Sequence, residues 1–142
     1  MTDQGFSVRA LGEIAIRCTD FDAMVSFYED TLGLQRLTGN QSGAIVFFQL
    51  GESWGGHTAV LALFGETDPA RTDGSGGAEA GGALHHVALV VPPSEQDTAR
   101  LWLESRGHET HYEEFPWIGW RGLFTKDPDG NTVELVAHMG GS

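Results

Sequence analysis

The stretch that decides the fold is Phe124–Val136, FTKDPDGNTVELV. Its centre, DPDGN at 127–131, is a dense turn signal, because proline presets φ, glycine and asparagine accept positive φ, and aspartate bonds its own backbone. The apolar and β-branched residues on either side predict a hairpin. Alternation along the second strand separates Glu134 from the face that carries Val133 and Leu135. Such a carboxylate either meets water at a sheet edge or is buried beside a partner.

Length, charge and cysteine content restrict the class of protein. The 142 residues suit one globular domain, or two small modules that share a core, and no apolar run is long enough to cross a membrane. The net charge of −12 gives a field that repels nucleic acid and anionic membranes. A polar N-terminus without a signal core and a single cysteine, Cys18, predict a cytoplasmic protein.

Strand and helix signals occur twice in the same order. In the first half Asp20 caps a helix from about Phe21 to Leu32, and Gly33 ends it. The strands predicted around that helix are 11–18, 34–38, 44–50 and 58–64. In the second half a helix opens at Pro92 and runs to about Ser105, and the predicted strands are 84–91, 108–113, 123–126 and 132–136.

The two halves are related by a repeat. Glu13 to Ala62 spans 49 residue steps, and His86 to Glu134 spans 48. We therefore expect an α+β fold of two βαβββ modules at 10–64 and 84–138, joined by a Gly-rich linker at 65–83.

The repeat gives four residues equivalent strand positions: Glu13, Ala62, His86 and Glu134. If the helix of each module covers the opposite face, then Glu13, His86 and Glu134 project into a shared cup. One imidazole and two carboxylates suit a divalent metal and leave positions for water or substrate. Taken singly, each residue has an ordinary explanation as an edge carboxylate or a hydrogen-bonded core histidine.

Aromatic residues cluster in the loop WIGWR at 117–121. Trp117 and Trp120 are predicted to stack on a substrate at the mouth of the cup, with Arg121 as an anion contact. The alternative is that they pack the loop against the sheet or a second subunit. Trp54 and Trp102 are expected to be core residues.

Four segments resemble the vicinal oxygen chelate superfamily, which includes glyoxalase I, extradiol dioxygenases, methylmalonyl-CoA epimerase, fosfomycin-modifying enzymes and bleomycin-resistance proteins. They are Asp20 with SFYEDTLGL at 26–34, LHHVA at 84–88, DPDGN at 127–131 and VEL at 133–135. The resemblance implies paired βαβββ modules with curved mixed sheets that form a metal-binding cup. It also implies that the ligand positions are Glu13, Ala62, His86 and Glu134.

This chain departs from the family pattern at three positions. Ala62 cannot coordinate, so three protein ligands remain, and His57 has the wrong strand parity to replace it. The dioxygenases prefer histidine where this chain has Glu13, and they tend to have tyrosine where it has Phe124.

The resemblance implies an enzyme that uses a divalent metal (Fe, Mn, Ni, Co or Zn) on a small oxygenated substrate. Proton transfer, isomerisation or lyase chemistry is expected, with Glu134 and Glu13 as candidate bases. Arg17 either anchors an anionic end of the substrate, as in glutathione-using glyoxalases, or forms a rim ion pair. The alternatives are an extradiol dioxygenase and a non-catalytic drug-binding protein. We expect a homodimer, with the cup formed within one chain or across two.

Overall fold

Two four-stranded mixed sheets and the helices between them make up the fold. The computed structural model describes residues 4–37, 44–65 and 84–139. In the first module the elements are β1 (Glu13–Arg17), α1 (Phe21–Ser26), a π-helical turn (Phe27–Thr31), β2 (Gln35–Arg36), β3 (Ile45–Glu52) and β4 (Thr58–Phe64). In the second they are β5 (His86–Val90), a 3₁₀ turn (Pro93–Glu95), α2 (Gln96–Ser105), β6 (His111–Phe115), β7 (Trp120–Lys126) and β8 (Thr132–His138).

The two sheets have the same strand order, β1-β4-β3-β2 and β5-β8-β7-β6. The first strand of each module is parallel to the last, and the other pairs are antiparallel. Glu13 is opposite Val60 in the first sheet, and His86 is opposite Thr132 in the second. The predicted α+β fold of two βαβββ modules is confirmed. Except for Gly65, the predicted linker lies outside the described residues, as does the turn predicted at 39–43.

The first helix differs from its prediction in its last turn. The Asp20 side chain accepts a hydrogen bond from the Ala23 N–H at 3.2 Å, as the sequence predicts, and Gly33 ends the segment with φ of +78°. The Leu32 N–H, however, donates to the Phe27 carbonyl, a five-residue step that widens the helix into a π turn. Periodicity alone does not reveal such a widening.

The main core lies on both sides of α1. Phe27 on its C-terminal extension packs in one cluster with Ile16 and Leu61 of the first sheet and with Val87 and Val133 of the second. Each sheet therefore turns its inner face towards α1, and the outer faces of the two sheets point away from each other. A smaller cluster places α2 against the inner face of the second sheet.

The DPDGN turn ties the two modules together through Asp127. The Tyr28 hydroxyl donates to Asp127 Oδ2 at 2.7 Å, and Asn131 Nδ2 donates to the same oxygen at 3.0 Å. The N–H groups of Asp129 and Asn131 donate to Asp127 Oδ1. Asp129 accepts in turn from the N–H of Thr19 at 2.6 Å. Burial raises the pKa of the Asp127 carboxyl above its ordinary value, and these hydrogen bonds oppose that rise.

Replacing Tyr28 with phenylalanine should destabilise the fold, because a buried carboxylate loses a donor from the other module. We expect the free energy of unfolding in urea to fall by about 1–3 kcal/mol at pH 7. Because the pKa of Asp127 is raised in the folded protein, its ionisation lowers the stability of the fold as the pH rises through that folded-state pKa. The Tyr28 hydroxyl reduces this loss of stability because its hydrogen bond favours the charged carboxylate. The cost of Tyr28→Phe should therefore shrink as the pH falls through that value.

Tyr112→Phe is the matched control, because the Tyr112 hydroxyl donates to the exposed Asp97. It should cost less than Tyr28→Phe at pH 7. Equal costs for the two variants at every pH would contradict the role given to Asp127.

Candidate functional site

The outer face of the second sheet carries His86 and Glu134 together with several other ionisable side chains. Strand register sets them in rows across β5, β8, β7 and β6. One row holds His86, Thr132 and Lys126; the next holds Ala88, Glu134, Phe124 and His111; a third holds Val90, Val136, Gly122 and Glu113. Glu134 thus lies near the middle of a sheet face and away from its edges.

Glu134 is buried, with 6% of its surface exposed, and its carboxylate is paired with a histidine. Oε1 lies 3.3 Å from His86 Nε2. Burial raises the pKa of the Glu134 carboxyl above its ordinary value, the neighbouring His86 opposes that rise, and the charge of Glu113 adds to it. The sequence left open whether this residue was a solvated edge carboxylate or a buried one with a partner, and the structure shows the second.

Gly122 makes room for that carboxylate. A Cβ built at Gly122 would overlap Glu134 Oε2 and would lie 2.8 Å from Phe124 Cε1. The glycine is therefore required by the side chain beside it, since the space a methyl group would take is filled by the carboxylate.

The imidazole of His86 is oriented by the histidine that precedes it. Nδ1 of His86 lies 2.9 Å from Nδ1 of His85, so one of these nitrogens donates and the other accepts. This contact leaves Nε2 of His86 directed at Glu134, and the centroids of the His86 and Phe124 rings are 6.3 Å apart. A second group that fixes a ring in this way is a common feature of histidines that bind metals.

Glu13 is not brought to this pair within one chain. It is exposed on the outer face of β1, whereas His86 and Glu134 are on the outer face of the other sheet, with α1 between them. Among residues 4–37, 44–65 and 84–139, no three His, Cys, Asp or Glu side chains converge in a way that could hold a metal. Ala62, at the fourth family position, is fully buried.

The predicted substrate contacts are dispersed. Arg17 is exposed on the same face of β1 as Glu13. Trp120 is 43% exposed on the face of β7 that carries Phe124, while Trp117 is 81% exposed in the turn before that strand.

Arg121 points to the opposite face, towards α2. Its Nε donates to Gln96 Oε1 at 2.7 Å, and its guanidinium lies 4.4 Å from the centre of the Tyr112 ring. Buried Gln96 also donates to the carbonyls of Arg121 and Leu135. These contacts hold Arg121 away from the His86–Glu134 pair.

The expectation that Trp54 and Trp102 are core residues is wrong. Trp54 is 59% exposed beneath the Arg9 guanidinium, and Trp102 is 47% exposed. The Trp102 indole N–H donates to the carbonyl of Thr31, which holds the ring at the junction between the modules. His57 is exposed beside Gly12, away from the second sheet.

Four residues of this face were missed from the sequence: His111, Glu113, Gly122 and Lys126. The ring of His111 is stacked on Phe124, and its Nε2 lies 3.2 Å from Glu113 Oε2. Once the strand register is known, the alternation of side chains within β6 and β7 places all four residues on the same face as Glu134. The predicted start of β7 was three residues late, which concealed the register.

Comparison with known proteins identifies the family. The model of the Glyoxalase/Bleomycin resistance protein/Dioxygenase superfamily matches residues 10–135, so the chain belongs to that superfamily. No curated protein sequence matches it significantly.

Solved structures of this superfamily have the same fold. A lactoylglutathione lyase from Agrobacterium tumefaciens is 27% identical with a TM-score of 0.65, over 90% of this chain and 92% of the other. A glyoxalase/dioxygenase from Nostoc punctiforme is 24% identical with a TM-score of 0.69, over 97% and 96%. An antibiotic-binding protein from Streptomyces sp. CB03234 is 20% identical with a TM-score of 0.65, over 96% and 99%. In the part of the chain that the structure describes, no helix has the length and apolar character needed to span a membrane.

Adding a methyl group at Gly122 should displace the Glu134 carboxylate. We expect Gly122→Ala to lower the free energy of unfolding by about 1–3 kcal/mol, the usual cost of overpacking. In a Glu134→Ala background the cost should fall by at least about 0.5 kcal/mol, because the oxygen that clashes is gone. Urea denaturation of the four proteins in this double-mutant cycle measures the coupling.

Gly12→Ala serves as the control, because its nearest foreign atom, His57 Cε1, lies at 3.3 Å on a flexible side chain. Its cost should not depend on Glu134. An unchanged cost of Gly122→Ala in both backgrounds would show that the glycine is needed for another reason.

Proposed function

We propose that the protein is a metal-dependent enzyme that transfers a proton beside a carbonyl group of a small oxygenated substrate, as glyoxalases do. The observation that carries this proposal is the buried Glu134 carboxylate, 3.3 Å from an oriented imidazole on an open sheet face. Superfamily membership and the 27% identical lactoylglutathione lyase support it.

The donor set fits a divalent metal in part within one chain. His86 Nε2 and Glu134 Oε1 are close enough to share an ion, and the contact between His85 and His86 presents the correct ring nitrogen. Two protein ligands are fewer than a stable site normally uses. Glu13 is a carboxylate at the repeat-related position and is exposed, so it is free to act as the third.

A second copy of the chain would supply Glu13. The inner faces of both sheets contribute to one core cluster with α1, which supports a cup formed by the outer faces of two chains. Strands β1 and β5 each lie at a sheet edge, and Val90 on β5 is 83% exposed. In a symmetric homodimer, the outer face around β1 of one copy would oppose the face around β5 of the other, and two equivalent sites would result.

Glu134 is assigned the role of base. Burial raises the pKa of the Glu134 carboxyl, which makes it a stronger proton acceptor than an ordinary carboxylate, and the neighbouring His86 favours the charged form. A bound metal would polarise the substrate carbonyl and stabilise the negative charge that forms when the proton leaves. Phe124 and His86, both half-buried on the same face, shield the carboxylate in part from water.

A non-catalytic ligand-binding protein is the second candidate. The exposed indoles of Trp120, on the face of β7 that carries Phe124, and of Trp117, in the turn before β7, favour it. The fold of the Streptomyces antibiotic-binding protein also favours it. An extradiol dioxygenase is supported less well, because Phe124 replaces the tyrosine that those enzymes tend to carry.

Metal content separates these functions. Protein purified without an affinity tag should contain about one divalent metal per chain, and Glu134→Ala and Glu13→Ala should each lose it. Glu52→Ala, which removes an exposed carboxylate at the end of β3, should retain it. Negligible metal in wild type and variants alike, together with tight binding of a drug-like ligand, would favour the binding protein. Rapid ring cleavage of catechol after anaerobic Fe(II) loading and exposure to air would favour the dioxygenase.

Mixing the two metal-free variants tests whether the site is shared between copies. A heterodimer of Glu13→Ala and Glu134→Ala has one site in which both carboxylates are intact. Unfolding and refolding an equimolar mixture should therefore restore about a quarter of the wild-type metal content, since half of the dimers are mixed. No restoration, with dimers present by ultracentrifugation, would place both carboxylates on one chain or remove Glu13 from the site.

A further inference from the structure

A cavity of about 600 Å³ lies at one end of the second sheet, where the segment before β6 meets β6, β7 and β8. Phe124, His111, Lys126 and Thr132 line it from the sheet, and the segment before β6 contributes His108 and Glu109. Thr132 is the register partner of His86, so the cavity adjoins the candidate metal ligands. The volume is sufficient for a small organic molecule.

One wall of the cavity is flat and aromatic. The rings of His111 and Phe124 have centroids 5.2 Å apart and planes inclined by 12°, so they form a stacked pair. Such a surface suits the face of a planar ring. His111 is exposed, and its Nε2 contacts Glu113, which fixes the outer ring of the stack.

Lys126 provides a positive charge at the same cavity. It is the single lysine of the sequence, in a chain whose net charge is −12. Within the described residues it makes no salt bridge, although acidic side chains far outnumber basic ones. Register places it in the same row as His86, two strands away, or roughly 10 Å. Because the lysine side chain is long and flexible, its ammonium group can lie closer to His86 than the spacing of the strands.

We propose that the cavity binds the aromatic carboxylate end of the substrate, with the ring against the His111–Phe124 stack and the carboxylate on the Lys126 ammonium. The substrate class is then an aryl acid whose oxygenated, reacting group lies across the ring from its carboxylate. That group would extend towards His86 and Glu134, and this part of the inference rests on the proposed function. Glu109, the one carboxylate among the cavity residues, would oppose an anionic ligand and favour a cationic one.

Calorimetric titration with benzoate at low ionic strength tests the inference. Wild type should bind benzoate, Lys126→Gln should weaken binding about tenfold through loss of a charge-assisted contact, and Lys126→Arg should restore most of it. Glu109→Gln should bind benzoate as well as wild type or more tightly. Arg36→Gln is the matched control: it removes one positive charge from an exposed pair with Glu29 in the other module and should leave benzoate affinity unchanged.

Two further probes test whether the cavity requires both the aromatic ring and the negative charge of the ligand. Inorganic phosphate carries the charge without the ring, and benzylamine carries the ring with the opposite charge, so both should bind more weakly than benzoate. Phosphate that binds as tightly as benzoate would reduce the site to a general anion site and overturn the aromatic assignment. No benzoate binding, an unchanged affinity in Lys126→Gln, or tighter binding of benzylamine would overturn the proposal.

The ligand assigned to the cavity and the proposed function can be refuted independently of each other. Glu134→Gln should keep benzoate affinity, because Glu134 contacts the other end of the substrate. Benzoate binding that depends on Lys126 in a protein that holds no metal would leave the cavity assignment intact and refute the metal-dependent reaction. If the protein holds a metal that Glu134→Ala loses but does not bind benzoate, the metal site would stand and the cavity assignment would be refuted.

Discussion

The hydrogen bonds that converge on Asp127 hold the two halves of the molecule in one orientation. The carboxylate accepts from Tyr28 on the first module and from its own turn, and Asp129 in that turn accepts from Thr19. A buried carboxylate is tolerated only where such donors surround it. Because they come from both modules, the turn fixes α1 between the two sheets, and the sheets therefore present their other faces outwards.

That orientation decides how the site can be built. Side chains that share a sheet, such as His86 and Glu134, meet within one chain, whereas Glu13 belongs to the face on the far side. In the strand register, Glu13 pairs with Val60 as His86 pairs with Thr132, so the repeat relates Glu13 to His86 and Ala62 to Glu134. Equivalence under the repeat, however, does not by itself bring residues together in one chain, and among the described residues no three such side chains converge. In the proposed site, a second copy of the chain supplies Glu13.

The parts of the fold that depend on local chemistry were predictable from the sequence. The Asp20 cap, the DPDGN hairpin and β4 at Thr58–Phe64 follow from turn residues, capping and alternation. The parts that depend on contacts between distant segments were not. Gly122 shows its purpose only when Glu134 is placed beside it, and Arg121 is directed to α2 by Gln96, which no pattern near residue 121 reveals. Lys126 acquired a role only through the row that joins it to His86.

The central claim is that Glu13 and the His86–Glu134 pair hold one metal ion between two copies of the chain. A crystal structure of metal-loaded protein, with anomalous data collected at the absorption edge of the metal, tests it most directly. We expect one anomalous peak per chain within about 2.0–2.2 Å of His86 Nε2 and of the Glu134 carboxylate, with Glu13 of the second copy as the third protein ligand. A peak bound elsewhere, or a dimer that leaves Glu13 facing solvent, would contradict it.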